Sequence, residues 1–247
     1  MLHLHRLARF YEAAWHNEGS DFAYNGERFV LERLQAARLG LAFDVGANVG
    51  HWTEAIAGLW PDCRIHAFEV APETFADLAA RLAPLAPRVR CHKIGLSDQT
   101  GRQPMYYFPD APQLTTDTRR HAEQRAVEFE AELTTLDAFC RAEGIEAIDF
   151  LKIDVEGAEH RVLKGAAEVL GQRRVKLLQF EYGAFSIDTH FLLKDFFAVL
   201  GEQFTIGKIY PTYVDFGDYD WRHEDFRFAN YLCVSRDHPE LQRLLGG

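Results

Sequence analysis

Between residues 41 and 200, short apolar runs alternate with amphipathic stretches, and this rhythm limits what the chain can fold into more than any other feature. The runs lie at 41–45, 64–69, 89–94, 148–153 and 175–180. The first, Leu41-Ala42-Phe43-Asp44-Val45, is apolar at four of its five positions instead of alternating, as a strand covered on both faces requires. Helical patterns follow at 51–59, 72–82, 159–170 and 189–200. Pro72 suits the first turn of its helix, and Gly171 closes the helix that carries Val162, Leu163, Ala166, Val169 and Leu170 on one face. Strand alternating with helix predicts an α/β fold, a parallel sheet with helices on both faces.

The flanks read differently. Residues 1–40 carry helical spacing broken at Asn17-Glu18-Gly19-Ser20 and Asn25-Gly26, which predicts an N-terminal helical extension before a single domain over 41–247. Residues 97–120 read as irregular, with turn signals at Asp98-Gln99-Thr100-Gly101 and Pro109-Asp110, and 121–143 read as mostly helical. Residues 204–210 and 228–235 are two strands with no helix between them, which predicts an antiparallel strand at or near the sheet edge.

Composition removes several classes of function. Lys and Arg number 27 against 37 Asp and Glu, a net charge of −10, so gripping nucleic-acid phosphates is not the expected task. Hydrophobic residues make up 47%, too many for a disordered chain. The cysteines stand at 63, 91, 140 and 233 with no CxxC pair, which predicts reduced thiols in a cytoplasmic protein. His and Arg interrupt the first nine residues, so the apolar region of a signal peptide is missing there. No run of 18 apolar residues suggests a membrane span.

Ligands of open α/β sheets bind beyond the carboxyl ends of the strands, where the strand order reverses. The first strand ends in Asp44-Val45-Gly46-Ala47-Asn48-Val49-Gly50. A dinucleotide fingerprint beginning at Gly46 needs glycine at 48 and 51, where this chain has Asn48 and His51. No GK[ST] follows either, so a Walker phosphate loop is excluded. The second strand ends in Glu69, 19 residues past Gly50, where a carboxylate can accept both hydroxyls of a ribose. After the third come Ser97 and Asp98, a pair suited to an adenine amino group. The fourth ends in Asp154-Val155-Glu156-Gly157, and the fifth in Glu181. One acid after a strand is ordinarily a turn former or helix cap. Asp44, Glu69, Asp154 and Glu181 at one sheet edge instead suit a ligand with hydroxyls, an ammonium and positive charge. S-adenosylmethionine has all three.

Four segments carry a resemblance. Phe43-Asp44-Val45-Gly46-Ala47-Asn48-Val49-Gly50, His66-Ala67-Phe68-Glu69-Val70-Ala71-Pro72, Gly95-Leu96-Ser97-Asp98 and the stretch from Asp149 to Glu159 resemble the FkbM family of S-adenosylmethionine-dependent methyltransferases. The likeness runs from about residue 40 to 235, and the last segment is its most specific part. It implies a class I methyltransferase (Rossmann-like) fold, a seven-stranded, mostly parallel sheet whose last strand is antiparallel. It implies O-methylation, often of sugar hydroxyls in polysaccharides or glycosylated natural products. Carried over by position, Asp44, Gly46, Asn48 and Gly50 form the cofactor loop, Glu69 holds the ribose, Ser97 and Asp98 flank the adenine, and Asp154 lies nearest the reactive methyl.

A sugar hydroxyl is a weak nucleophile, so a positioned base is expected, with Asp154, Glu156 and Glu181 as candidates. Glu156 also reads as a carboxylate at the start of a helix, and His51 and His160 read as further candidate bases or as solvated helix residues. A metal is not expected, although Asp154, Glu156 and Glu181 could offer oxygen ligands to Mg²⁺ or Ca²⁺. Tyr24-Asn25-Gly26-Glu27 reads as a turn or as a cover for the cofactor. Acceptor choice is placed in 100–120, with Tyr106, Tyr107 and Phe108, and in the aromatic and acidic loop 210–221. The acceptor so expected is a carbohydrate or a glycosylated small molecule. Two other readings stand beside it, an NAD-linked oxidoreductase and a methyltransferase-like module without catalysis.

Overall fold

The computed structural model describes residues 2–112, 115–116 and 125–245. In chain order its elements are α1 (Leu2–His16), α2 (Glu27–Leu34), β1 (Leu41–Val45), α3 (His51–Leu59), β2 (Arg64–Phe68), α4 (Pro72–Leu82), β3 (Val89–His92), β4 (Gly95–Leu96), β5 (Gly101–Tyr107) and β6 (Val127–Thr134). There follow α5 (Leu136–Glu143), β7 (Ile148–Ile153), α6 (Glu159–Lys164), α7 (Ala167–Gly171), β8 (Val175–Tyr182), α8 (Phe185–Thr189), α9 (Leu193–Leu200), β9 (Phe204–Tyr210), β10 (Tyr213–Phe216), β11 (Ala229–Ser235) and α10 (Pro239–Leu245). They pack as two units, one of residues 37–180 and one of residues 1–36 with 181–247.

In the first unit the strands run parallel in the order β8-β7-β1-β2-β3. All five residues of β1 are buried, as its unbroken apolar pattern requires. Phe43, Phe150, Ile65 and Leu151 are fully buried at the centre. Each such side chain contributes about 1.5–3 kcal/mol by leaving water. From β1 the chain steps outward through β2 and β3, then returns to the other side of β1 for β7 and β8. The order therefore reverses at β1, which puts a ligand crevice at its carboxyl end.

Three readings of this unit are corrected. Residues 101–107 are not irregular, and 127–134 are not helical: they are β5 and β6, paired antiparallel with Met105 opposite Phe129. With β4, which runs parallel to β6, they form a second, three-stranded sheet. Glu128, Glu130 and Glu132 alternate with Phe129, Ala131 and Leu133 in β6, a period of two that suits a half-buried strand and cannot give a helix one apolar face. Residues 121–124, also read as helical, lie outside the described residues. The single helix expected over 159–170 divides into α6 and α7. A Cβ on Gly165 would stand 2.0 Å from the Ser97 carbonyl oxygen, so glycine is required where these two backbones touch.

In the second unit β10, β9 and β11 form an antiparallel sheet in that order. The expected pairing of 204–210 with 228–235 is present, and β10 adds a hairpin partner inside the loop read as irregular. The helix expected over 189–200 is α9, preceded by the short α8. Arg227 holds the α1 side of the unit, with its guanidinium on Glu12 at 2.7 Å and on Glu18. Tyr24-Asn25-Gly26-Glu27 is a turn in which the Asn25 amide donates to the Glu27 carboxylate at 2.7 Å. Among the described residues, no helix is long and apolar enough to cross a membrane.

Candidate active site

The loop after β1 and the loop after β7 interlock at the point where the strand order reverses. The Asp154 amide donates to the Val45 carbonyl at 2.9 Å. Gly46 has φ +83°, and a Cβ there would lie 1.7 Å from the Asp154 carbonyl oxygen. Only glycine combines that left-handed backbone with so close an approach. Asn48 and Gly50 are also left-handed, at φ +48° and +89°, so the loop turns three times before α3 begins. Asp44 is fully buried. Its carboxylate accepts from the Thr53 hydroxyl at 2.6 Å and thereby ties β1 to α3.

Glu69 closes the loop from the side of β2. One carboxylate oxygen accepts from the Asn48 amide at 3.0 Å and the other from the Ala71 amide at 2.8 Å. Burial raises its pKa, and the Asp44 charge adds to this, while the Ala71 and Asn48 amides work in the opposite direction. The Val70 backbone also contacts this carboxylate, and its remaining acceptor capacity lets Glu69 brace the loop and still receive a ligand hydroxyl.

Ser97 is buried after β4, its hydroxyl 3.4 Å from the Asp98 carboxylate. Asp98 carries an ion pair to Lys164 of α6 at 2.9 Å, and that hydrogen bond holds its pKa below the usual carboxylate range. The Ser97–Asp98 pair therefore has a cationic neighbour that its sequence context did not signal.

Asp154 is half-buried and receives the Lys152 ammonium at 2.6 Å. Lys152 is itself buried, on the last turn of the pleat before the carboxyl end of β7. A lysine inside the buried run Phe150-Leu151-Lys152-Ile153 is the sequence signal for this pair. Carboxylate oxygens of Asp154 and Glu156 lie within 4.8 Å of each other. Glu156 does not begin a helix: it sits in the turn before α6 with φ +53°. Glu159, first residue of α6, is buried, accepts the Val155 and Gly157 amides at 3.0 and 3.1 Å, and so shapes that turn. Burial, with help from the Asp154 charge, pushes its pKa up to about 7. Glu181 is buried at the end of β8. The β7–β8 register pairs Ile153 with Phe180.

The remaining candidates are placed less centrally. His51 is exposed at the first position of α3, and His160 is half-buried on α6. Tyr106 and Tyr107 are half-buried on β5, and Phe108 is buried after it. Cys63, Cys91, Cys140 and Cys233 are free thiols.

Residues 44–205 match the family model described as the methyltransferase FkbM domain. Methyltransferase sdnD of Sordaria araneosa is 33% identical over 154 residues, which span 51% of this chain and 60% of that protein. The 31-O-demethyl-FK506 methyltransferase FkbM of Streptomyces tacrolimicus is 29% identical over 155 residues, 52% of this chain and 60% of its own length. The chain thus spans less than two thirds of these curated relatives. Its fold is similar to the crystal structure of a methyltransferase FkbM from Methylobacillus flagellatus, with a TM-score of 0.51 and 18% identity over 79% of this chain and 44% of that one.

Proposed function

Because the chain belongs to the FkbM methyltransferase family, we propose that it is an S-adenosylmethionine-dependent O-methyltransferase whose acceptor is a sugar hydroxyl of a polysaccharide, sugar nucleotide or glycosylated metabolite. The observation that carries this reading is the interlocked switch point, where Gly46 abuts the Asp154 backbone and Glu69 braces the intervening loop. It suits this donor because it offers left-handed, Cβ-free backbone beside carboxylates. The name of the Streptomyces relative places its methyl transfer at an oxygen, which supports O-methylation here.

In this reading Gly46, Asn48 and Gly50 give the donor its backbone cradle, and Asp44 acts from beneath by holding Thr53. Glu69 accepts the two ribose hydroxyls while its amide contacts keep it in place. Ser97 and Asp98 flank the adenine, with Lys164 fixing the Asp98 rotamer. Asp154, oriented by Lys152, faces the ammonium end. When bound, the donor supplies an electrophilic methyl group on a sulfonium, already a good leaving group. The protein's tasks are then alignment and proton removal. The acceptor oxygen forms its bond to the methyl carbon as the carbon–sulfur bond breaks, and the hydroxyl proton passes to a carboxylate. Asp154, Glu156 and Glu181 are the candidate bases, and no metal enters this scheme.

The test is incubation of the protein with isotope-labelled donor and fractionated cell-envelope glycans or sugar nucleotides, followed by mass spectrometry. Label bonded to a sugar oxygen supports the reading. Label on nitrogen or carbon, or on no acceptor, contradicts it.

A further inference from the structure

In the unit of residues 1–36 and 181–247, α1 is held by its polar side. Leu4, Leu7, Tyr11 and Trp15 follow one another at three- and four-residue intervals and so share one side of the helix, and Phe10, three residues after Leu7, widens that side. All five are exposed, from 52% at Leu7 to 80% at Trp15. Among the described side chains of α1, only Ala13 and His16 are not exposed, and both lie opposite the apolar side. The contacts with the rest of the unit are polar. Arg227 donates to Glu12 at 2.7 Å, His16 lies 3.8 Å from Asp225, and the side-chain amide of Asn17, just past the helix, donates to the Ile209 carbonyl of β9 at 3.0 Å.

A surface helix of a soluble fold buries its apolar face and shows its polar face to water. In α1 the two are exchanged. Three aromatic side chains of about 150–250 Å² each, with two leucines, exceed the few hundred Å² of apolar patch that a monomer commonly leaves uncovered. Charge indicates what covers it. Residues 2–11 contain Arg6 and Arg9 and no Asp or Glu, in a chain of net charge −10. Both arginines are exposed, and among the described residues neither has an ion-pair partner. A second copy of α1 would bring the same cations together, with Glu12 already engaged by Arg227. An anionic bilayer instead takes leucine and aromatic side chains into its headgroup boundary and arginines at its phosphates. Charges farther away than about 8 Å are screened at physiological salt, so these local cations count for more than the net charge.

We propose that α1 is an interfacial helix that docks the protein on an anionic phospholipid surface, with Leu4, Leu7, Phe10, Tyr11 and Trp15 entering the headgroup boundary and Arg6 and Arg9 meeting lipid phosphates. The inference is independent of the methyl-transfer reading, because none of the residues assigned to the donor takes part.

The experiment is co-sedimentation of the full chain with vesicles of equal parts phosphatidylglycerol and phosphatidylcholine, and with vesicles of phosphatidylcholine alone, alongside analytical ultracentrifugation without lipid. The expected result is a monomer that partitions at least about tenfold more strongly onto the anionic vesicles, the scale of two cations near a charged surface. Leu7→Asp and Trp15→Gln, each at an exposed position, should lower that partitioning about tenfold or more while circular dichroism and Tm stay at wild-type values. If one variant fails to fold, the other decides. The proposal is overturned if the chain stays in the supernatant, if neutral vesicles bind it equally well, or if a folded variant keeps wild-type partitioning. It is also overturned if the apolar face holds a dimer that Leu7→Asp splits, which would assign the face to a second copy.

Discussion

Gly46→Ala tests the interlock at the switch point. An alanine at φ +83° bears the strain of the left-handed region, about 1–2 kcal/mol. Its Cβ would also start 1.7 Å from the Asp154 carbonyl oxygen, a backbone atom that cannot swing away as a side chain does. Relief requires the loops after β1 and β7 to part by well over an ångström, which stretches the 2.9 Å bond from the Asp154 amide to Val45. Losing that bond adds about 1 kcal/mol. The sum, about 2–3 kcal/mol, lowers Tm by roughly 4–12 °C for a chain of this size. Gly144→Ala is the control, because Gly144 is also left-handed, at φ +65°, and its Cβ would meet nothing within 4 Å. It should show only the conformational cost, about 1–2 kcal/mol, with cofactor affinity unchanged. Thermal unfolding and calorimetry with S-adenosylhomocysteine read both effects. If Gly46→Ala matches Gly144→Ala in Tm and keeps wild-type affinity, the reasoning from the interlock is wrong.

Three further outcomes are expected. Glu69→Ala should weaken S-adenosylhomocysteine by about 1–3 kcal/mol, the scale of lost hydrogen bonds to a charged group; unchanged calorimetric affinity would remove Glu69 from the ribose site. Asp154→Asn should preserve the fold by circular dichroism while turnover drops at least tenfold, and a wild-type rate would take Asp154 out of the chemistry. The stacked rings of His66 and His92, with nitrogens 3.0 Å apart, give the fold an acid-side weakness. Burial, then the charge of His92, lowers the His66 pKa from 6.5 to about 4. The unfolded chain therefore takes up a proton first, and stability falls as pH drops from about 6.5 towards 4, by about 2–3 kcal/mol. Urea unfolding at pH 7.5 and 4.5 measures this, and His66→Phe should flatten the difference; an equal loss in that variant would assign it elsewhere.

The parts legible in the sequence were those that a local pattern determines. Leu41–Val45 had to be a strand covered on both faces, and Pro72 and Gly171 marked helix ends where they occur. Strand ends then placed Asp44, Glu69, Asp154 and Glu181 without knowledge of any contact. What stayed hidden depends on contacts that only the folded backbone makes. Gly165 breaks a helix because Ser97, 68 residues earlier, needs the space. Glu69 spends hydrogen bonds on Asn48 and Ala71, which no spacing rule reveals. Lys152 acquires meaning only once the pleat turns it toward Asp154. Strand β6 differs, since the alternation of Glu128, Glu130 and Glu132 is itself a strand signal in a segment expected to be helical.

A crystal structure of the full chain grown with S-adenosylhomocysteine tests the central claim most directly. The account predicts density along the loop from Gly46 to Gly50, with the ribose hydroxyls within hydrogen-bond distance of Glu69 and the amino-acid end beside Asp154. Ligand density at any other surface, with Glu69 and Asp154 untouched, would contradict it.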